Sequence, residues 1–254
     1  MNHRFFSILL LLSMFFLISS CTEESNEGEL KINLTQEVDG KDLILNEWIY
    51  EAPVGHPYKV RRLQYLLSDF YLENTEGEQH KFDMEHFHEF GRMDTRSFTL
   101  DNIPPGTYSK IGFVFGLNAE KNLDNAFPDD YDMIAFKWPS QLGVGYHYMR
   151  FEVTADSMKS GVIKDFNLHT GATHGNQNFL EFVLQMDEMV IDNNSFTLDL
   201  VMDLNEWLQD PEMYDFEEYG FGIMGNQEAQ LKLKANGKDV FSVEGPIVES
   251  NYLK

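Results

Sequence analysis

The chain has 254 residues and a formal net charge of −23 at pH 7, with 42 acidic side chains against 19 Lys and Arg. Because such a surface repels nucleic acid phosphates, the composition excludes a nucleic-acid-binding protein. No linker rich in Pro, Gly or Ser divides residues 30–254, and this length is enough for one large domain with a sizeable core.

The first 20 residues have the pattern of a bacterial lipoprotein signal peptide. Arg4 supplies a positive charge, a mostly apolar stretch runs from Phe5 to Ile18, and a small-residue cleavage site ends in Cys21. The apolar stretch is short for a retained membrane span, which needs about 20 residues. We therefore expect Cys21 to be lipidated and residues 21–29 to form an acidic tether.

Cys21 is the only cysteine of the chain. Its use as a lipid anchor leaves the exported domain without a disulfide or a thiolate, so a metal site must use His, Met, Asp or Glu. The acidic residues after Cys21 are similar to the surface-export signal of Bacteroidetes lipoproteins. We expect a lipid-anchored protein of the outer membrane or cell surface.

Short segments with strand character recur along the chain, separated by turn clusters such as Ile103–Gly106. The period of two at Ile111, Phe113 and Phe115 is typical of a strand with one buried face. This pattern predicts an all-β protein, an antiparallel β-sandwich with one or two short helices. The predicted strands are Leu30–Gln36, Arg62–Leu72, Tyr108–Leu117, Tyr146–Val153, Asn178–Gln185, Ser195–Val201 and Ala229–Leu233.

Two segments carry helical signals. Residues Asp203–Gln209 place Leu204, Trp207 and Leu208 at the spacing of one helical face. A helix at Asn226–Lys232 competes with the strand that is predicted for the same segment.

Two histidines in neighbouring strand segments are the main candidates for metal ligands. Strand periodicity predicts that His147 and Met149 share one face, with the two neighbouring tyrosines on the other. His169 lies in the sequence FNLHTG, and His174 follows across a turn that contains glycine. Neutral imidazole suits copper and zinc, and the Met149 thioether suits Cu(I). The alternative is that these histidines are hydrogen-bonded structural residues.

A second pair of histidines, His86 and His88, forms a His-x-His pattern flanked by Glu85 and Glu89. On a strand, both rings project to the same side. The alternative is an exposed polar strand face without a metal.

The segment Asn122–Asp132 is rich in oxygen ligands of the kind that Ca²⁺ prefers. It does not follow the spacing of an EF-hand, so an ordinary acidic surface loop is the competing interpretation. The candidate calcium ligands are Asp124, Asn125, Asp129, Asp130 and Asp132.

Nothing in the sequence motivates catalysis. The chain has no Gly-x-Ser-x-Gly elbow, no thiol left after lipidation and no Gly-rich phosphate loop. We therefore predict a protein that is not an enzyme.

A set of short segments follows a recognisable order along most of the mature chain. The segments are Val60–Ser68, Ile103–Tyr108, Gly116–Asn118, Met133–Trp138, Gly145–Glu152 and Leu168–Gly171. In their order and spacing they resemble the MbnP family, the methanobactin-associated copper-binding lipoproteins and their Bacteroidetes relatives.

The resemblance implies a β-sandwich-like protein that binds copper outside the cytoplasm. Some relatives are encoded beside a dihaem peroxidase-like partner that oxidises a tryptophan to kynurenine, and related proteins hold copper with histidines and that kynurenine. Carried over by motif, the ligands are His147 and His169, with His174 as a third candidate and Trp138 as the modified residue. This chain has the sequence FKWP at residues 136–139, where many relatives have two tryptophans close together.

The sequence therefore leads to two hypotheses. The first is a copper-binding lipoprotein for copper acquisition or handling, with a dihaem peroxidase-like protein and a TonB-dependent receptor as partners. The second is a non-metal surface module that binds a glycan or a protein partner through exposed aromatic side chains such as Tyr146 and Tyr148.

Overall fold

The computed structural model describes residues 26–157 and 161–250. The predicted signal peptide, Cys21 and the start of the predicted tether lie outside the described residues. Gly28 and Glu29, which we assigned to the tether, already belong to the first strand. The strands of these ranges are β1 (Gly28–Val38), β2 (Lys41–Asp42), β3 (Tyr50–Glu51), β4 (Pro57–Asn74), β5 (Gln79–Lys81), β6 (Glu85–Glu89), β7 (Ser97–Ile103), β8 (Gly106–Phe115), β9 (His147–Ser157), β10 (Val162–Gly171), β11 (Leu180–Ile191), β12 (Ser195–Asp203) and β13 (Phe241–Ser250).

The strands form two sheets, which confirms the all-β sandwich. The first sheet has the order β13-β12-β1-β2, with β7 also paired to β1. The second has the order β10-β9-β4-β8-β11, with β3, β5 and β6 also paired to β4. Among the described strands, β1 and β12 run parallel and the other pairs are antiparallel.

Helical structure is short and peripheral. The described part of the chain contains α1 (Tyr131–Phe136), α2 (Phe216–Tyr219) and α3 (Gln227–Asn236), and 3-10 turns at Met93–Thr95 and Asn205–Leu208. The predicted helix at 203–209 is therefore the single 3-10 turn Asn205–Leu208.

The strand predicted at Ala229–Leu233 is wrong, because this segment lies within α3. The side chain of Asn226 caps the helix by accepting a hydrogen bond from the Ala229 backbone N–H. Ala229, Gln230, Leu233 and Asn236 are buried, which is a helical spacing. Periodicity alone does not distinguish a strand from a helix in this short apolar run. The Asn226 cap favours the helix.

The main core lies between the two sheets and contains a dense aromatic cluster. Phe241 of the first sheet packs against Phe113, Phe115 and Phe182 of the second, with ring centroids 5.2, 5.9 and 5.1 Å away. Since Phe241 is only 4% exposed, its ring is a principal contact between the sheets.

The second sheet is buried on both faces near its centre. Residues 63–68 of β4 are all buried, although a strand with one covered face would alternate. Leu67 faces the main core, whereas Leu66 packs with Phe136, Tyr146 and Tyr148 in a smaller cluster. The segment between β8 and β9, which includes α1, therefore covers the outer face of the sheet.

No helix among the described residues is long and apolar enough to cross a bilayer.

Replacing Phe241 with Ala should destabilise the protein by about 3–5 kcal/mol, because it leaves a cavity among the aromatic rings that join the sheets. Denaturant unfolding followed by circular dichroism measures this change. Phe221→Ala is the matched control, since Phe221 is 67% exposed, and its unfolding midpoint should stay close to that of the parent protein. An equal effect of both substitutions would contradict this view of the core.

Candidate functional site

The structure brings His147 and His169 together on the outer face of the second sheet. His147 begins β9 and His169 lies near the end of β10, the strand paired to it. The ring centroids are 5.3 Å apart, with an angle of 79° between the ring planes. Each residue is 6% exposed, so the two imidazoles form a buried pair.

A shift in strand pairing puts the two rings on the same side. Thr170 is opposite Met149, but the next residue, Gly171, is opposite His147, so one residue of β9 is skipped. A shift of one residue reverses the face to which a side chain points. The prediction that His147 and Met149 share a face is therefore wrong. Met149 lies in the main core between the sheets, away from the His147–His169 pair.

The neighbouring tyrosines are not exposed, which corrects the second hypothesis of a surface module that uses them. Tyr146 and Tyr148 are both 0% exposed. The Tyr148 hydroxyl bonds to the side chains of Asn122 and Gln177, and the Tyr146 hydroxyl accepts a hydrogen bond from the backbone N–H of Phe127. Because the segment before β9 folds over them, these rings are core residues.

Trp138 closes the site on the side of His147. Its ring centroid lies 4.8 Å from that of His147, at an interplanar angle of 73°. The six-membered ring of Trp138 lies directly on Gly171, where an added Cβ would be 2.6 Å from Cε3 and Cζ3. The indole Nε1 is buried without a hydrogen-bond partner among the described residues.

A backbone carbonyl orients the His147 ring. The distance between His147 Nδ1 and the Phe136 carbonyl oxygen is 2.9 Å. Since a carbonyl can only accept, Nδ1 carries the proton and Nε2 of the neutral ring has a free lone pair. Burial lowers the pKa of His147 to about 3, against the opposing effect of this hydrogen bond.

A carboxylate holds the His169 ring. His169 Nε2 lies 3.1 Å from Oε1 of Glu152 on β9, and His169 Nδ1 is buried without a hydrogen-bond partner in the described structure. Burial lowers the pKa of His169, although the Glu152 carboxylate opposes this shift. Burial alone would raise the pKa of Glu152, but the His169 hydrogen bond and nearby positive charges hold it at about 2.

Helix α3 supports the backbone on both sides of Thr170. The Gln230 side chain donates to the His169 carbonyl at 2.8 Å and accepts from the Gly171 N–H at 3.3 Å. Gln230 is 0% exposed. A buried amide that pairs with both backbone groups fixes the strand that carries His169 and Gly171.

The pair has the chemistry and spacing of two metal ligands. A metal ion about 2 Å from a ring nitrogen is about 3 Å from the ring centroid, so two imidazoles on one ion have centroids at most about 6 Å apart. The measured 5.3 Å satisfies this limit. Within residues 26–157 and 161–250, no group of three or more His, Cys, Asp and Glu side chains is arranged to hold a metal.

His174 lies in the turn after β10 and is exposed, unlike the buried pair. Its backbone N–H donates to the Leu142 carbonyl at 2.7 Å. The structure therefore places this candidate third ligand on the surface.

The His86 and His88 rings lie on the same side of β6, as predicted, but they share a structural role. His86 Nε2 and His88 Nδ1 both lie 2.8 Å from the carbonyl oxygen of Thr95. Because a carbonyl oxygen can only accept, these two nitrogens carry protons and are not available to a metal ion. This pair anchors the 3-10 turn Met93–Thr95 rather than forming a chelate.

The acidic segment has separate partners for its carboxylates. Asp129 pairs with Lys137 at 2.9 Å, and Asp132 pairs with Arg92 at 2.6 Å. Asp130 caps α1, and Asp124 accepts from the Gly145 N–H. Asn125 also accepts from Lys137, at 3.0 Å. In the described structure these oxygens stabilise the loop that covers the site.

Comparisons with known proteins identify the family of this chain and a solved structure of similar fold. The sequence matches the family model described as MbnP over residues 27–225. The chain belongs to the MbnP family. A solved structure, MbnP from Methylosinus trichosporium, is similar with a TM-score of 0.51 and 15% sequence identity, covering 85% of this chain and 98% of that chain. At this identity the likeness shows the fold alone. No curated protein matches the sequence.

Membership in the MbnP family associates the chain with methanobactin-related, copper-linked proteins outside the cytoplasm. The family match ends at residue 225, so α3 and β13 lie beyond it. Both nevertheless pack into the described domain, through Gln230 at the site and Phe241 in the core.

Sequence reasoning missed Glu152 and Gln230. The available signal for Glu152 was its spacing of two from Arg150 in the strand segment Met149–Val153, which places two opposite charges on one face. Gln230 carried no comparable signal, since its contacts depend on where α3 packs.

Replacing Gly171 with Ala should displace the Trp138 ring and cost about 1–3 kcal/mol of stability through overpacking. Denaturant unfolding and the indole N–H resonance of Trp138 measure the two effects. Gly222→Ala is the control, because an added Cβ there meets nothing within 4 Å. An unmoved Trp138 resonance in the Gly171 variant would contradict the described packing.

His147 should remain neutral in the folded protein at pH 5, because burial lowers its pKa to about 3, from an ordinary imidazole value of about 6.5. The unfolded chain therefore takes up a proton first on acidification, so the contribution of His147 to stability falls as the pH drops below about 6.5. Ring ¹⁵N chemical shifts measured between pH 7 and pH 5 test this. A titration midpoint of His147 within that range would disprove it.

Proposed function

We propose that this protein is a lipid-anchored protein of the outer membrane or cell surface that binds copper for acquisition or handling, without catalytic turnover of its own. Copper is its cargo. The observation that carries the proposal is the buried pair of His147 and His169. His147 Nδ1 donates to a carbonyl, which leaves Nε2 as its unprotonated nitrogen, and His169 Nδ1 has no hydrogen-bond partner among the described residues.

The type of ligand supports copper over the hard cations. Imidazole suits copper and zinc, whereas calcium and magnesium prefer oxygen ligands. Zinc usually takes four protein ligands or three with water, and the described residues offer no such group. Moving a monovalent ion into a buried site with neutral ligands costs less than moving a divalent one, which favours Cu(I).

Trp138 is the residue we propose for modification. It contacts His147, and its buried Nε1 has no hydrogen-bond partner in the described structure. Oxidation to kynurenine by a dihaem peroxidase-like partner, with dioxygen or peroxide as the oxidant, would cleave the C2–C3 bond of the indole and release C2 as formate. The product would present a carbonyl oxygen and an amine beside the imidazole pair. A TonB-dependent receptor is the second partner that we propose, for the transfer of copper across the outer membrane.

The fold is compatible with display of the site away from the anchor. Gly28, where β1 begins, lies beside Ile191, since an added Cβ at Gly28 would be 2.8 Å from the Ile191 side chain. Ile191 pairs with Gly106 at the start of β8, so Gly28 lies near this end of β8. The other end of β8 adjoins Gly116, which packs on Tyr148 beside His147. With ten residues in β8 and a rise of about 3.3 Å per residue, the site lies about 30 Å along the sheet from Gly28.

The test is the copper content and affinity of the domain from Thr22 onward, after incubation with copper under reducing and oxidising conditions. We expect about one copper per chain, and a loss of affinity of more than about 100-fold in His147→Ala and in His169→Ala with the fold retained. Intact mass recorded on the same samples shows whether a tryptophan has been converted to kynurenine.

Two further variants sharpen this experiment. His80→Ala on β5 is the matched control, since it removes an imidazole outside the buried pair, and its affinity should be unchanged. His174→Ala tests whether the exposed histidine contributes a ligand. Unchanged copper affinity in both His147→Ala and His169→Ala would contradict the proposed site.

A further inference from the structure

We propose that Glu152 is a positioning residue, which fixes His169 in the tautomer that presents a bare Nδ1 to the metal. This inference rests on the proposed function for the role of the metal. Its first part, the choice of tautomer, concerns the metal-free protein and can be measured there.

The contact between the two residues is direct and buried. Glu152 Oε1 lies 3.1 Å from His169 Nε2, and the two side chains are 9% and 8% exposed. Glu152 is opposite Asn167 on β10, two residues before His169. The carboxylate therefore reaches the ring diagonally across the paired strands, as neighbours on one sheet face can.

An ionised carboxylate can only accept hydrogen bonds, so Nε2 of His169 must carry the proton. Nδ1 then has the free lone pair, and it is the buried nitrogen that lacks a partner in the described structure. His147 has the opposite tautomer, because Phe136 fixes the proton on its Nδ1. The site thus presents Nε2 from one ring and Nδ1 from the other.

Three arginines keep the carboxylate in place. Nη1 of Arg62 and Nη2 of Arg150 lie 3.2 and 3.4 Å from Oε1, and Nη1 of Arg61 lies 3.5 Å from Oε2. Clustering three guanidinium groups around one carboxylate satisfies its charge and limits its rotation. Glu152 therefore stays bonded to the ring instead of turning toward a metal ion.

A purely structural ion pair would explain the arginines but not the histidine. The arginines alone would leave the proton of His169 free to occupy either nitrogen. Outer hydrogen bonds to ligating histidines typically change metal affinity about 10–100-fold when removed, which is the range expected here.

The experiment compares the parent protein with Glu152→Leu and Glu152→Gln by long-range ¹H–¹⁵N correlation of the imidazole rings, without metal and at neutral pH. Copper affinity is then measured on the same samples. We expect His169 to be protonated on Nε2 in the parent and to occupy both tautomers in Glu152→Leu, with copper affinity lowered about 10–100-fold. Glu152→Gln keeps an acceptor for Nε2–H and should show a smaller loss.

Glu73→Gln is the matched control, because Glu73 forms an ion pair with Lys110 at 2.7 Å on the same sheet without a histidine. It should change neither the tautomer nor the affinity. If Glu152→Leu fails to fold, Glu152→Ala takes its place, because it also lacks an acceptor for Nε2–H.

Protonation of His169 on Nδ1 in the parent overturns the inference, whatever the copper result. The inference is also overturned if both the tautomer and the copper affinity stay unchanged in a folded variant that has no acceptor at residue 152. If the tautomer depends on Glu152 but the parent binds no copper, the proposed function fails while the role of Glu152 in fixing the tautomer stands.

Discussion

The one-residue shift in pairing between β9 and β10 is the constraint on which the candidate site depends. With continuous pairing, His147 would follow Met149 into the main core, while His169 would remain on the outer face with Arg150 and Glu152. The shift brings the two imidazoles together. It also places Gly171 beside His147, and the missing side chain at Gly171 makes room for the Trp138 ring.

The second requirement is a cover over the outer face of the sheet. The segment between β8 and β9 buries Tyr146 and Tyr148 and supplies Phe136 and Trp138 to the site. Removing water from the imidazoles lowers the pKa of both rings, because burial disfavours their charged form, and at His169 this outweighs the opposing Glu152 carboxylate. The protein has a large net negative charge, yet the side chains at the centre of the site are neutral rings. The charged Glu152 contacts the outer side of the His169 ring and is itself surrounded by three arginines.

Periodicity found most of the strands because apolar alternation reflects a buried face, a local property of the chain. The observed strands are longer at several ends, as in β4, where pairing with β6, β8 and β9 extends the ladder beyond the apolar run. Periodicity failed where a second layer intervened. Tyr146 and Tyr148 looked like an exposed face because nothing local indicates that a distant segment will cover them.

The sequence by itself determined the all-β class, most strand positions, the family and the two histidines worth attention, because these follow from local periodicity and short motifs. Only the tertiary structure decided that Met149 faces the core and that His174 is exposed. It also decided that Glu152 holds the ring of His169 and that Gln230 holds its strand. These outcomes depend on strand register and on the packing of α3, which are set by contacts between residues far apart in the chain. A shift of one residue changes which side chains meet, and no local pattern records it.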